Sequence, residues 1–185
     1  NADLNREKKK SQYQSSTYNA EPYYYTYNSG KFSLDYESDS FSFIVGTDIF
    51  YGDREQTNTI TTKDNAALFA LAEFYAGNST FKAGYRSEKV AYNYKSDTKD
   101  LSQDDSLRGV ELGYNYKIDK EKSLFVNYSH SYQAPNIDKF FNYGGTFNDF
   151  IDPMKSDNYN IGFNYFTNAN KLKIMISVLF FVLAA

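Results

Sequence analysis

The sequence predicts an all-β chain: a transmembrane, antiparallel up-and-down β-barrel segment of about eight strands. Three observations carry that expectation. Segments of about ten residues alternate apolar with polar side chains. The links between them are in turn short and long. The apolar positions are filled largely by aromatic residues: the 185-residue chain has 19 Tyr and 16 Phe but no Trp and no Cys. A strand that crosses a bilayer needs about 9–11 residues, with one face for lipid and one for a wet lumen.

Taken in order, the first predicted strand lies near 24–37 and the second at 41–51. In the second, Phe41, Phe43, Val45, Ile49 and Tyr51 share one face, while Ser42, Gly46 and Asp48 share the other. The third strand, 67–76, carries Glu73; turning Glu73 inward takes Phe69, Leu71 and Tyr75 with it and leaves Ala70 and Ala72 toward lipid. The fourth, 80–94, has the polar row Lys82, Gly84, Arg86 and Glu88. The fifth, 107–117, sets Val110, Leu112, Tyr114 and Tyr116 against Glu111, Gly113, Asn115 and Lys117. The sixth spans 123–133; the seventh, 157–166, sets Ile161, Phe163 and Tyr165 against Asn160, Gly162 and Asn164. An eighth starts at 171. A Lys or Arg at the bilayer midplane costs roughly 2–4 kcal/mol, so the polar rows must face the lumen.

The links Ser38-Asp39-Ser40, Gly77-Asn78-Ser79, 118–122 and 167–170 are short and rich in turn formers, whereas 52–66, 95–106 and 134–156 read as long polar loops. Brief turns at one end and extended loops at the other are the pattern of outer-membrane barrels. A soluble β-sandwich also alternates, but it expects short hairpins at both ends and an interior of Val, Ile and Leu.

Composition excludes several function classes. A net charge of −3 offers no basic excess for nucleic acid, and the cationic run Arg6-Glu7-Lys8-Lys9-Lys10 reads as a solvated loop. Without cysteine there is no disulfide framework, thiolate metal site or cysteine nucleophile. No stretch of 18 apolar residues predicts a spanning helix, and Asn1-Ala2-Asp3 shows neither an initiator Met nor a signal pattern, so a piece of a longer chain is expected. An enzyme is not expected: no Gly-x-Ser-x-Gly turn, no catalytic residue, no cofactor motif and no metal-ligand spacing occurs, and the acidic stretch Asp97 to Asp105 reads as solvated. The single His130 lies before the Gln133-Ala134-Pro135 corner rather than inside loop 134–156, where haem capture would want it, and reads as a strand residue near the rim.

Loop 134–156 gathers Phe140, Phe141, Tyr143, Phe147 and Phe150 around Gly144-Gly145. Two readings stand side by side: aromatics that stack on a flat or greasy ligand, with glycines letting the loop close, or a loop that packs on itself.

Three motifs carry a family likeness. Residues 124–141, through Tyr128-Ser129-His130-Ser131-Tyr132-Gln133-Ala134-Pro135, resemble the TonB-dependent outer-membrane receptors, whose strand ends in a Tyr-Ser, aromatic, Arg-Ala-Pro pattern; Gln133 stands where Arg is usual. Asp152-Pro153-Met154-Lys155-Ser156-Asp157-Asn158-Tyr159-Asn160-Ile161-Gly162 is similar to the family's Asn-Pro-x-Leu-x-Pro-Glu segment and following Asn-x-Glu-x-Gly strand. It differs at Asp152, Met154 and Lys155 and lacks the second proline. Ala67 to Tyr75 followed by Phe81 to Arg86 resembles the hairpin in which an acidic-aromatic strand precedes a Gly-x-Arg strand.

The resemblance implies a section of a barrel with many more than eight strands, in the outer membrane of a Gram-negative bacterium. It implies a receptor and transporter that binds and imports a scarce nutrient, such as an iron-siderophore chelate, cobalamin or haem. Outer-membrane lipid and a small-molecule ligand are the implied partners, with the TonB complex acting through a plug domain that has no counterpart here. A small self-contained barrel or porin, or a soluble all-β adhesin, are the alternatives. Residues 1–173 are thus expected to be a partial receptor barrel, and 174–185 an aberrant apolar tail. Twelve almost wholly apolar residues do not suit a strand with one wet face, so a frameshift near 174 or a strand buried on both faces is expected there.

Overall fold

The structure, a computed structural model, describes residues 1–12, 22–142, 145–167 and 172–184. Among the described residues nine strands form one antiparallel sheet in sequence order: β1 (Ala2–Ser11), β2 (Tyr23–Glu37), β3 (Phe41–Gln56), β4 (Thr59–Ala76), β5 (Ser79–Ser96), β6 (Asp100–Lys117), β7 (Lys122–Gln133), β8 (Met154–Thr167) and β9 (Leu172–Ala184). One sheet with neighbouring strands paired throughout is a meander, not the two facing layers of a sandwich. Among the described residues β1 and β9 do not pair with each other, so the sheet is open, as a section of a barrel is.

Three expectations are corrected. The run Arg6 to Lys10 is not a solvated loop but lies in β1, which pairs from Ala2 with Phe32 to Ser11 with Tyr23. Nine of its ten residues are exposed, so its charged side chains keep their hydration. Residues 52–66 and 95–106 are not long loops. β3 runs to Gln56 and β4 starts at Thr59, leaving two turn residues, of which Asn58 takes a φ of 61°. β5 runs to Ser96 and β6 starts at Asp100, with Ser96 N donating to Lys99 O at 2.8 Å. Polarity was a poor guide to looping there, since a hairpin projecting beyond the membrane meets water and needs no apolar outer face; its β-branched residues Thr59 to Thr62 favour strand. Of the three links expected to be long, only that between β7 and β8 is long, running from 134 to 153.

The outward faces show where lipid ends. The outward apolar row stops at Tyr51 in β3, Leu68 in β4, Tyr85 in β5, Val110 in β6, Tyr128 in β7 and Tyr159 in β8. Pairing carries Tyr159 through Tyr128, Leu112, Ala83 and Ala72 to Phe43, eight residues short of Tyr51. Eight residues at ~3.4 Å against five strand spacings at ~4.8 Å place this border roughly 45° from the hydrogen-bonding direction. That is close to the strand tilt of membrane barrels. Below the border, Phe32, Leu34, Val45, Leu112, Val126 and Ile161 are exposed outward.

In β5 the inward face is polar up to the border and turns apolar beyond it. In β5 the inward residues Lys82, Gly84, Arg86 and Glu88 are followed by Val90, Tyr92 and Tyr94, all three buried. Outward, Phe81, Ala83 and Tyr85 give way to Ser87, Lys89 and Asn93. The reversal has one cause. Beside lipid the apolar side must face out, whereas beyond it the outside is water and the buried side is the one covered by loop 134–153.

The loop clamp and the polar lumen wall

Loop 134–153 folds inward over the projecting hairpins. At its root, Pro135 O accepts hydrogen bonds from Lys63 Nζ at 2.8 Å and Tyr92 OH at 2.9 Å, so the Ala134-Pro135 corner is tied to β4 and β5. A 3-10 turn, Ile137–Phe140, follows; Ile137 and Phe140 are buried. A small hairpin continues it, with Phe141 bridged to Phe147 and Asn148 N donating to Phe140 O at 2.9 Å.

The described aromatics of the loop form one cluster with β5. Phe140 meets Tyr92 edge-on at 4.9 Å, and Phe147 stacks on Tyr94 at 4.0 Å and 14°. Phe150 closes the group against Phe140 and Phe147, each at 5.2 Å. Phe140 is fully buried and Phe147 is 8% exposed, while Phe141 and Phe150 keep part of their surface open. Tyr143 lies outside the described residues.

Arg54, 4% exposed, locks the loop to β2 and β3. Its guanidinium carbon sits 3.5 Å from the Phe141 ring centroid and 4.1 Å from that of Tyr23, and its Nε is 3.6 Å from Asp138 Oδ1. Tyr25 OH donates to the same Asp138 oxygen at 2.8 Å. Tyr25 and Lys63 lie beyond the lipid border. Burial, reinforced by the bonded Asp138 carboxylate, pushes the Tyr25 hydroxyl up to about 12, and burial lowers the Lys63 ammonium.

Beneath the loop, a cavity of about 620 Å³ is lined by Lys63, Arg86, Glu88, Ser131 and Tyr132 among others. Arg86 is its organiser: Nη1 pairs with Asp48, Nη2 with Glu88 Oε2 at 3.0 Å, and Nε donates to Tyr132 OH at 3.1 Å. Tyr132 OH in turn donates to Glu88 Oε2 at 2.7 Å, and Asn65 Nδ2 donates to Glu88 Oε1. Deeper in the lumen wall, Lys82 pairs with Glu111 at 2.9 Å and Tyr75 OH donates to Glu73 at 2.8 Å. His130 is placed in β7, its Nδ1 2.9 Å from Asp157 Oδ1, an oxygen that also accepts from Tyr128 OH.

Sequence reasoning singled out the loop aromatics but missed their platform. Tyr92 and Tyr94 were detectable as an apolar continuation of a polar row; Arg54 and Tyr25, far from the loop in sequence, carried no such signal. The arrangement makes a rim of partly open aromatics above a polar, hydrogen-bonded wall.

Comparisons with known proteins agree with this geometry. The family model described as TonB dependent receptor-like, beta-barrel matches residues 1–178. A search of curated proteins gives no match. Among solved structures, the copper transporter OprC is similar with a TM-score of 0.69 at 15% identity, covering 85% of this chain and 30% of its own. The ferric yersiniabactin uptake receptor FyuA from Yersinia pestis is similar with a TM-score of 0.70 at 12% identity, covering 97% and 33%. The alcaligin outer-membrane receptor FauA from Bordetella pertussis has a TM-score of 0.59 at 13% identity, covering 85% and 29%. The chain thus spans about a third of the length of these receptors. With a family model over nearly its whole length, an open meander of tilted strands and a polar lumen wall, the chain belongs to the TonB-dependent receptor barrel family of the Gram-negative outer membrane.

Proposed function

We propose that the chain forms part of a receptor that captures a small metal chelate, of the iron-siderophore type, at its outer rim and admits it to the lumen. Energy for import comes, in this reading, from the TonB complex acting on a plug. The observation that carries the proposal is the inward-folded loop 134–153, which leaves the rings of Phe141 and Phe150 partly open and whose Gln133-Ala134 root borders a cavity holding Lys63, Arg86, Glu88 and Tyr132. The similar receptors named for copper, ferric yersiniabactin and alcaligin give the substrate class its support. The role belongs to the five loop aromatics together: Phe141, Phe150 and Tyr143 for contact, with Phe140 and Phe147 holding the platform.

An aromatic contact is worth about 0.5–1.5 kcal/mol, so removing two amounts to roughly 5- to 150-fold in affinity. The test is uptake and binding of a radiolabelled ferric chelate by cells carrying the protein with Phe141→Ala and Phe150→Ala together. Weakened binding with unchanged surface abundance is expected. Unchanged affinity would refute a binding role for these rings. Absence of TonB-dependent accumulation of any ferric chelate would refute import itself.

A further inference from the structure

On the outward face, just beyond the lipid border, two cations share one small patch. Lys89 stands opposite Ser106 and Arg108 opposite Ser87, so these four side chains form a square on the neighbouring strands β5 and β6. All four are exposed. Lys89 and Arg108 are diagonal neighbours, about 7–8 Å apart at Cα, which lets two long side chains meet on one anion. Gly109 fixes the side: a Cβ there would lie 3.8 Å from Arg86 Cβ in the lumen, so its neighbour Arg108 points outward. Among the described ion pairs neither cation takes part. The nearby carboxylates lie to either side. Asp64 and Asp104 are two residues further from lipid on the flanking strands, and Asp157 is bonded by His130 and Tyr128.

Toward lipid from this square, the outward face bears a groove of about 490 Å³. The paired small residues Ala72 and Ala83 form its floor, with Phe74, Leu112, Val126 and Tyr128 among its walls. Ala83 lies four residues below Ser87 on β5. That is ~14 Å along a strand tilted by about 45°, hence ~10 Å in depth, within the ~15 Å of one hydrocarbon leaflet.

We infer that the square and the groove together bind one anionic lipid, its phosphate on Lys89 and Arg108 and an acyl chain in the groove. Both cations donate charge-assisted hydrogen bonds to the phosphate oxygens, and the Ser87 and Ser106 hydroxyls supply two further donors. A head group that adds a quaternary ammonium sets a third cation against Lys89 and Arg108 and is held less well. A free phosphate can use the square alone; the groove, one leaflet's depth away, selects a molecule with a chain. The site faces away from the lumen and does not depend on the nutrient reading.

Native mass spectrometry of the full-length receptor purified from outer membranes in detergent, titrated with dipalmitoyl phosphatidic acid or dipalmitoyl phosphatidylcholine, tests the inference. Phosphatidic acid is expected to be retained about tenfold better, since each basic residue at a membrane surface adds to the attraction of an anionic lipid. Lys89→Gln with Arg108→Gln should abolish that preference. Ala83→Leu, which fills the groove and stays apolar toward lipid, should weaken retention of both lipids. All three positions are exposed, and retained heat-modifiable migration on gels checks that each variant is folded. Equal retention of the two lipids by the parent, a double variant that keeps the parent's preference, or an Ala83→Leu protein that retains both lipids as the parent does would overturn the proposal. So would displacement of phosphatidic acid by equimolar glycerol phosphate, which would show a soluble-anion site instead.

Discussion

Arg54 shows how one side chain decides where a distant loop lies. Held between Tyr23 and Phe141 and facing Asp138, it joins two strands to a segment more than 80 residues away. Replacing it by Ala removes both ring contacts and leaves Asp138 bonded only by Tyr25. Amide exchange in 136–150 is therefore expected to rise by about tenfold or more, while exchange in β4 and β5 below the border stays unchanged. Phe140→Ala goes further, because a fully buried ring lost to a cavity costs about 3–5 kcal/mol. Proteolysis within 136–150, mapped by mass spectrometry, checks it; protection equal to the parent's would mean that Phe140 is not the anchor. Tyr25 adds a pH dependence. Its folded pKa of about 12 lies above the ordinary 10.0, so its contribution to docking is complete below pH 10 and fades as the pH rises toward 12. Loop protection should hold from pH 7 to 9.5 and fall above that range, and Tyr25→Phe should flatten this fall.

At the scale of the strand, the slanted lipid border makes a quantitative claim. In β3 the border leaves Val45 within lipid and Glu55 beyond it. Val45→Lys is expected to cost about 2–4 kcal/mol and Glu55→Lys about 0–1 kcal/mol, read as urea unfolding of the protein in vesicles. Similar costs at both sites would disprove the border. The same border explains why the polar stretches 52–66 and 95–106 are strands and not loops: within lipid, outward polarity marks a loop, but above it the outward face of a strand is polar too. The switch of β5 from Arg86 and Glu88 to Tyr92 and Tyr94 was there to be read as a strand leaving the membrane under a covering segment.

For the molecule as a whole, the open sheet matters most. β1 and β9 each leave an edge without a described partner, and the outward face exposes large apolar residues from Phe32 to Phe180. Made alone, the chain is expected to aggregate or to fail to insert, because unpaired strand edges recruit other chains. A monodisperse monomer without detergent, seen by light scattering, would contradict this. β9 pairs with β8 from Leu172 to Ala184, yet its sequence lacks the polar alternation of β8. A frameshift near residue 174 remains our proposal for that change; resequencing the encoding DNA, with another frame that restores alternation, decides it against a strand apolar on both faces.

By itself the sequence determined the strand class, the two faces of most strands, the membrane setting and the family likeness, because alternation is a local property that lipid and water impose on each strand separately. The tertiary structure alone decided that residues 2–11 pair as a strand, that two polar stretches continue as hairpins, and that Phe140 and Phe147 are buried on Tyr92 and Tyr94. Those outcomes depend on partners far away in the chain. A charged stretch becomes a strand only when a neighbouring edge offers hydrogen bonds, and an aromatic loop finds its resting place only when the register of β2 to β5 brings Tyr25, Arg54, Lys63 and Tyr92 onto one surface.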